Sequence, residues 1–338
     1  MPPQQPETAE QVRQLSTVAN AYRQSILLLT ANRSDLFTRL SGKTLSAEEI
    51  GALMSWDQRA AEVFLNALTA MGYLNKVSGL FSNTVISEQL LVKGKPDYQG
   101  DILNHNLHLW ERWARVGEVL PSGESLRDPL KRRSGDELRA FIGGMANIAR
   151  FSSILLWEKV DLTGYHCLLD LGGGPGTYSF AACRQFPQLS ALVYDLSEVE
   201  EIFEEQRQQA DMEDRVRFHA GDFNTDAMPE GCDAVLLSNI IHSWSTAGNL
   251  ELLRKIQQVM LPSGLLIIKD FFISEDGTQP LFSALFAVNM LLGTEAGGCY
   301  SRKQVQSWLE EAGFEFKDYL ELTEQAGVIL ARRNPCVA

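Results

Sequence analysis

The sequence lacks any run of about 20 consecutive apolar residues, the length a helix needs to cross a bilayer. Its longest apolar stretch, Leu281 to Leu292, is shorter and contains Ser283 and Asn289. The opening residues, Met1 to Glu10, are polar and proline-bearing, without the basic and then apolar order of a signal peptide. Positive charge is in deficit too: 30 Lys and Arg stand against 43 Asp and Glu, a formal net charge of −13. Such a field repels phosphate backbones and anionic lipid. These absences predict a cytoplasmic protein with neither a membrane nor nucleic acid as its partner.

Cysteine is sparse. Cys167, Cys183, Cys232, Cys299 and Cys336 are scattered, odd in number, and show no CxxC or Cys/His metal spacing. They read as reduced thiols, and no metal is expected. Internal repeats and low-complexity tracts are also missing. What is present is the material for a core: 45% of the 338 residues are hydrophobic and 22% are charged. That length favours a larger domain with a smaller one beside it.

Residues 1–95 read as the smaller, helical domain. Apolar residues recur at helical spacing from Val12 to Leu40. Ser46 as N-cap with Glu49 at the third helical position marks a new helix start. A second helix follows from about Gln58 to Met71, then a hairpin-like segment, Tyr73 to Phe81, turning at Ser78-Gly79. Helix, turn, helix and β-wing together suggest a winged-helix module. A DNA-reading helix needs Arg and Lys to reach phosphates and base edges. The second helix offers Arg59 against Glu62, so DNA is not the expected partner.

Residues 96–150 read as a helical connector and pocket lid, with Trp110 and Trp113 on one helix and a polar break around Pro121 to Gly135. Over 151–338 the texture changes. Short apolar runs, Cys167 to Leu171, Ala191 to Tyr194, Val216 to His219, Ala234 to Leu237 and Leu265 to Ile268, alternate with amphipathic helices. This predicts an α/β fold with a mostly parallel sheet. After a helix at Arg302 to Ala312, the segments Glu315 to Leu322 and Gly327 to Arg332 read as an antiparallel closing hairpin.

The strongest local motif is Asp170-Leu171-Gly172-Gly173-Gly174-Pro175-Gly176, between an apolar strand and the helix carrying Phe180. Gly172, Gly174 and Gly176 let the backbone turn sharply and approach a ligand closely. A glycine-rich strand-to-helix turn also fits a dinucleotide, but Thr177 stands where the third glycine of that fingerprint belongs. Asp170 would repel a pyrophosphate and suits the amino-acid end of S-adenosylmethionine. Asp195, followed by Leu196, ends the next strand, where a carboxylate accepts hydrogen bonds from ribose hydroxyls. Gly221-Asp222-Phe223 follows the third strand and offers an acceptor for an adenine amino group beside an aromatic face. Asp195 or Asp222 taken singly reads as an ordinary surface loop acid, the commoner case for any one Asp. Three strand ends in order, however, carry three parts of one ligand.

With these motifs the chain resembles the small-molecule O-methyltransferases related to caffeate and acetylserotonin O-methyltransferases and their bacterial natural-product relatives. The resemblance spans nearly the whole chain. It implies a class I methyltransferase domain, Rossmann-like with a seven-stranded sheet, and a homodimer formed through the N-terminal winged-helix domain. It implies S-adenosylmethionine as cofactor and S-adenosylhomocysteine as product. Gly172, Asp195, Asp222 and Phe223 match the family's cofactor contacts, and Ser238, followed by Asn239, stands where many members carry a lysine near the adenine.

The fourth strand runs into Ser238-Asn239-Ile240-Ile241-His242-Ser243-Trp244. In open α/β sheets ligands bind beyond the carboxyl ends of the strands, which puts His242 on the side of the glycine loop. Methyl transfer from a sulfonium is a displacement, so a hydroxyl acceptor gains nucleophilicity if a base takes its proton. Histidine titrates in the right range. A lone histidine is more often structural; the strand-end position favours the base. The family pattern is His-Asp-Trp, here His242-Ser243-Trp244. By that resemblance Asp270 orients the imidazole, while the family's second acid aligns with Cys299-Tyr300-Ser301 and is missing, with Glu295 nearby. The expected walls of the substrate pocket are Trp110, Trp113, Phe141, Met145, Phe286, Asn289 and Met290, although each of these also suits plain core packing; of them, Phe141 to Met145 resembles the family's helix near the reacting methyl, and Asn289-Met290-Leu291 its substrate-contact helix.

The sequence therefore predicts O-methylation of a small, aromatic or polycyclic hydroxyl-bearing metabolite of secondary metabolism. Three alternatives stay open: carbon or nitrogen methylation on the same scaffold, a cofactor-binding winged-helix regulator, and a structural dimer partner in a biosynthetic complex.

Overall fold

The computed structural model describes residues 5–126 and 135–334. Cys336, residues 1–4 and most of the expected polar break lie outside them. The chain forms two compact units, Met1–Leu109 and Trp110–Ala338.

The first unit contains α1 (Gln5–Asn20), α2 (Tyr22–Arg33), α3 (Leu36–Leu40), β1 (Leu45–Ser46), α4 (Ala47–Met54), α5 (Gln58–Ala70), β2 (Leu74–Val77), β3 (Leu80–Asn83), α6 (Val85–Leu90) and most of α7 (Gly100–Trp113). The capping box read from the sequence is present: Ser46 Oγ accepts from the Glu49 backbone N–H at 3.2 Å, and Glu49 Oε2 accepts from the Ser46 N–H at 2.7 Å. The hairpin turns at Ser78 and Gly79, both at positive φ (51° and 82°), the backbone a two-residue turn between twisted strands needs. β1 completes an antiparallel sheet of order β1-β3-β2. Leu36, Phe37, Leu40, Ile50, Leu65, Leu68 and Phe81 form its core.

The second unit continues with α8 (Val116–Val119), α9 (Gly135–Lys159), β4 (Cys167–Leu171), α10 (Thr177–Gln185), β5 (Ser190–Asp195), α11 (Glu200–Ala210), β6 (Val216–Ala220), β7 (Ala234–Ser238), α12 (Thr246–Val259), β8 (Leu265–Asp270), α13 (Leu281–Gly293), α14 (Arg302–Glu311), β9 (Phe314–Glu321) and β10 (Gly327–Arg333). One seven-stranded sheet runs β6-β5-β4-β7-β8-β10-β9. The first five strands are parallel, and the last two form the expected antiparallel hairpin.

Strand periodicity divides the core into two layers. Leu168, Val193, Leu236 and Ile267 face one layer, with Trp157 of α9 and Phe180 of α10. Leu169, Leu171, Val235, Leu237 and Ile268 face the other, with Ile256 of α12 and Leu309 of α14. Burying one such aliphatic side chain contributes about 1.5–3 kcal/mol, which explains why the central strands are apolar on both faces. Between β4 and β7 the order of connection reverses, and such a switch point opens a crevice at the carboxyl ends of the strands.

Two features were not foreseen in the sequence. Cys167, at the start of β4, and Cys232, just before β7, stand side by side with a Cα–Cα distance of 4.7 Å. The two lie 65 residues apart, and only the adjacency of β4 and β7 brings them together. Cys183 and Cys299 are free. Second, α9 carries a stretch, Leu138–Lys159, long and apolar enough by length and composition to cross a membrane, which the sequence reading passed over. Its Leu156 and Trp157 are buried against α10, with Trp157 Nε1 donating to the Tyr178 carbonyl at 2.9 Å. One face of the helix is thus held in the core, while its Ile148, Phe151, Ile154 and Leu155 are 38%, 52%, 51% and 36% exposed.

Candidate active site

The loop after β4 follows from its glycines. Gly172, Gly174 and Gly176 have φ of 66°, 53° and 82°, where a side chain is strained. A Cβ on Gly172 would collide with the Ile240 side chain, and one on Gly173 would lie 2.6 Å from Asp170 Cγ. The loop is pinned to its neighbours: the Gly172 N–H donates to the Tyr194 carbonyl at 2.8 Å, and the Gly174 N–H to Asp195 Oδ2 at 2.8 Å. Asp195 Oδ1 accepts from the Leu196 N–H at 2.7 Å.

Asp170 is buried beneath this loop, where its Oδ2 accepts from Ser179 Oγ at 2.7 Å. Burial pushes its carboxyl up to about 7, against the Ser179 hydrogen bond and with help from the nearby charge of Asp195. Burial likewise raises Asp195, opposed by the Leu196 and Gly174 N–H groups. Asp222, after β6, accepts at Oδ1 from Asn224 N and Nδ2. Gly221 has no room for a Cβ beside the Tyr194 ring. Phe223 lies edge-on to Trp244 at 5.9 Å, and a Cβ on Gly172 would touch it at 4.0 Å. The ends of β4, β5, β6 and β7 thus meet around one glycine loop.

Beyond β7, Ile241–Ser243 form a single 3-10 turn that buries His242. Its Nδ1 lies 2.7 Å from Asp270 Oδ1 at the end of β8. The two residues expected to pair do so, although 28 residues separate them. Burial alone would raise the Asp270 carboxyl; the His242 imidazole, the Phe271 N–H and the charge of Lys269 outweigh it and hold the carboxyl below its usual value. Asp270 Oδ2 is buried with no hydrogen-bond partner.

The turn is fastened from two other directions. From α12, Asn249 Nδ2 donates to the Ile241 carbonyl at 2.8 Å and to that of Trp244 at 3.3 Å. From the segment before α14, the Gly298 N–H donates to the His242 carbonyl at 2.9 Å, and the Tyr300 hydroxyl donates to the Trp244 carbonyl. The position aligned with the family's second acid therefore grips the backbone of the turn through Tyr300. Glu295 is exposed, and Cys299 is a thiol that burial, with the Asp270 charge, pushes up to about 12.

Phe286 of α13 meets the His242 ring edge-to-face at 4.9 Å, and Phe271 stacks on it at 6.2 Å. Phe282 joins both phenylalanines. Trp113 Nε1 donates to Asn289 Oδ1 at 3.2 Å, bringing together two of the expected pocket residues. Met290 is buried on α13. Trp110 and Met145 are half-buried on α7 and α9. Phe141 packs with Leu138 against Val199 and Ile202, beside the segment that follows β5. Sequence reasoning missed Phe271, Phe282, Asn249, Tyr300 and Lys269. Only Lys269 gave a signal, a charged residue ending an otherwise apolar strand.

A family profile described as an O-methyltransferase domain matches residues 126–315. The chain belongs to the O-methyltransferase family. This O-methyltransferase is 30% identical over 305 residues to 3-hydroxy-5-methyl-1-naphthoate 3-O-methyltransferase of Streptomyces sahachiroi, covering 88% of each chain. It is 26% identical over 317 residues to the N,N-dimethyltransferase OxyT of Streptomyces rimosus, covering 91% of this chain and 92% of that one. Its fold matches the crystal structure of human N-acetylserotonin methyltransferase in complex with S-adenosylmethionine, with a TM-score of 0.87 at 23% identity, over 96% and 97% of the two chains. The cofactor of the O-methyltransferase is S-adenosylmethionine. The glycine loop fits it: three glycines at positive φ leave a cradle that any Cβ would strain. Ser238 Oγ at the end of β7 is buried with no hydrogen-bond partner among the described residues.

Proposed function

We propose that this O-methyltransferase methylates a hydroxyl on a flat aromatic or polycyclic metabolite, with His242 as general base and Asp270 as the acid that orients it. The observation that carries the reading is the His242–Asp270 pair at 2.7 Å, set at the carboxyl ends of β7 and β8 beside the crevice that holds the glycine loop. With Nδ1–H donated to the carboxylate, Nε2 is the nitrogen left to take a proton. Asp195 is read as the ribose acceptor, Asp222 and Phe223 as the adenine contacts, and Asp170 as the group at the amino-acid end.

S-adenosylmethionine supplies an electrophilic methyl group on a sulfonium. His242 Nε2 would take the proton of the acceptor hydroxyl, and the cofactor, when held by the glycine loop, Asp195 and Asp222, would supply the methyl group and leave as S-adenosylhomocysteine. Asp270 stabilises the imidazolium that forms. Phe271, Phe282 and Phe286 favour a flat acceptor, which they hold by stacking and edge contacts. Orientation of the oxygen in line with the methyl supplies a large part of the rate. A second reading, methyl transfer to nitrogen or carbon, is favoured by the single acid on His242 and by the similarity to an N,N-dimethyltransferase.

The test is incubation with methyl-labelled S-adenosylmethionine and a panel of hydroxynaphthoates, other phenols and aryl amines, followed by mass spectrometry and NMR. One labelled methyl on an aromatic oxygen is expected. Label on nitrogen or carbon alone would select the second reading, and no labelled product despite calorimetric cofactor binding would overturn both.

We further propose a homodimer formed through the N-terminal unit. Along α1, Val12, Leu15 and Val18 are 57%, 71% and 76% exposed, an apolar stripe on one face that a second copy would cover. Sedimentation is expected to show a dimer that Val12, Leu15 and Val18 changed together to Ser convert to monomer; a wild-type monomer at every concentration would overturn it.

A further inference from the structure

Lys269 has no assigned role, yet it is 1% exposed, a burial that lysine reaches almost only when something pairs with it. It sits one residue before Asp270 at the end of β8 and is the register partner of Ser238 on β7. Its Nζ donates to Asn239 Oδ1 at 2.8 Å and lies 4.8 Å from the centre of the Phe271 ring. Asn239 is at φ 58°, and its N–H donates to the Lys269 carbonyl at 2.8 Å. The lysine therefore clamps, by backbone and side chain, the left-handed residue from which the His242 turn departs. Phe271 in turn stacks on His242.

The charges around this cluster are few. β8 contributes Asp270 and Lys269, and the turn after β7 contributes His242. The segment before α14 contributes Cys299 and Tyr300, both held neutral by burial, with Asp270 acting further in the same direction. α13 contributes Phe282 and Phe286, and β7 contributes Ser238, none of which carries charge. Asp270 and Lys269 are the charges that β8 sets beside the imidazole, and the segment before α14 adds the exposed carboxylate of Glu295.

We infer that Lys269 is a positioning residue for methyl transfer: it fixes the Asn239 turn that presents His242, and it sets a positive charge next to Asp270, the acid that bonds the imidazole. The inference rests on the reading of His242 as base. A purely structural lysine would fasten the turn without influencing protonation, and the two roles separate experimentally.

The experiment is a histidine-ring NMR titration of the full-length protein, with His242 assigned through His242→Ala, alongside kcat/KM against pH. Lys269→Met removes clamp and charge, Lys269→Gln retains a donor for Asn239 and removes the charge, and Lys269→Arg retains the charge. Without a nearby cation the imidazolium is favoured. The His242 midpoint is therefore expected to move up by roughly one pH unit in the Met and Gln variants and to stay in place with Arg. The rising limb of kcat/KM is expected to move with it. An unchanged NMR midpoint in both uncharged variants would overturn the inference, and so would failure of both to fold by circular dichroism, which would make the lysine a core fastener. If the NMR midpoint moves but His242→Ala retains the wild-type pH profile, the base reading has failed instead.

Discussion

His242→Ala is expected to lower kcat by roughly 10²–10⁴-fold, the range a positioned general base contributes. Cofactor affinity is expected to stay nearly unchanged. The argument is geometric. The imidazole is buried, its Nδ1 is committed to Asp270, and its backbone is held by Gly298 at 2.9 Å. A ring fixed from both ends can meet an acceptor proton only through Nε2, so losing the ring removes the proton transfer and little else. A loss in kcat and kcat/KM together, without a rise in KM, marks an interaction made only in the transition state. Asp270→Asn is expected to lose activity too, because an amide holds the ring without stabilising the imidazolium. Stopped-flow or mass-spectrometric single-turnover rates at saturating substrate check both. Unchanged turnover in His242→Ala would leave the histidine as a structural plug and move the chemistry to positioning alone.

The layered sheet was readable because its strands are buried on both faces. Runs such as Ala234 to Leu237 have no polar side to confuse the period, and the Gly172–Gly176 loop marks where the first strand ends. Helix starts were equally clear where the cap is local, as at Ser46 and Glu49. What the sequence concealed depends on neighbours in space. The Cys167–Cys232 pair needs β7 to lie beside β4, and the burial of Lys269 needs Asn239 to turn into the left-handed region on an adjacent strand. Tyr300 was noticed only as part of a stretch lacking an acid. Its hold on the Trp244 carbonyl, 56 residues away, follows from the placement of α14. The packing of Phe141 against Val199 and Ile202 was likewise concealed, because it needs α9 to lie beside the segment that follows β5.

Asp195→Ala is expected to weaken S-adenosylmethionine binding by roughly 10²–10⁴-fold in calorimetry, while kcat at saturating cofactor falls far less. A carboxylate bonded to two ribose hydroxyls makes two charge-assisted hydrogen bonds, each worth about 1.5–3 kcal/mol, and about 1.4 kcal/mol is tenfold in affinity. In this chain the same carboxylate also accepts from the Gly174 and Leu196 N–H groups at 2.8 and 2.7 Å, so its loss loosens the glycine loop as well. The Gly174 bond runs from the β4 loop to the end of β5, so if Asp195 is the ribose acceptor proposed above, it couples loop shape to ribose recognition. Asp195→Asn separates the two contributions. Its amide oxygen replaces one acceptor, and its NH2 group faces donors, so an intermediate loss is expected. Together with His242→Ala the result is a crossed pattern: one variant binds the cofactor and turns over slowly, the other turns over when saturated and binds poorly. Cofactor affinity unchanged in Asp195→Ala would exclude the carboxylate from the ribose site and move the cofactor's anchor to the loop backbone.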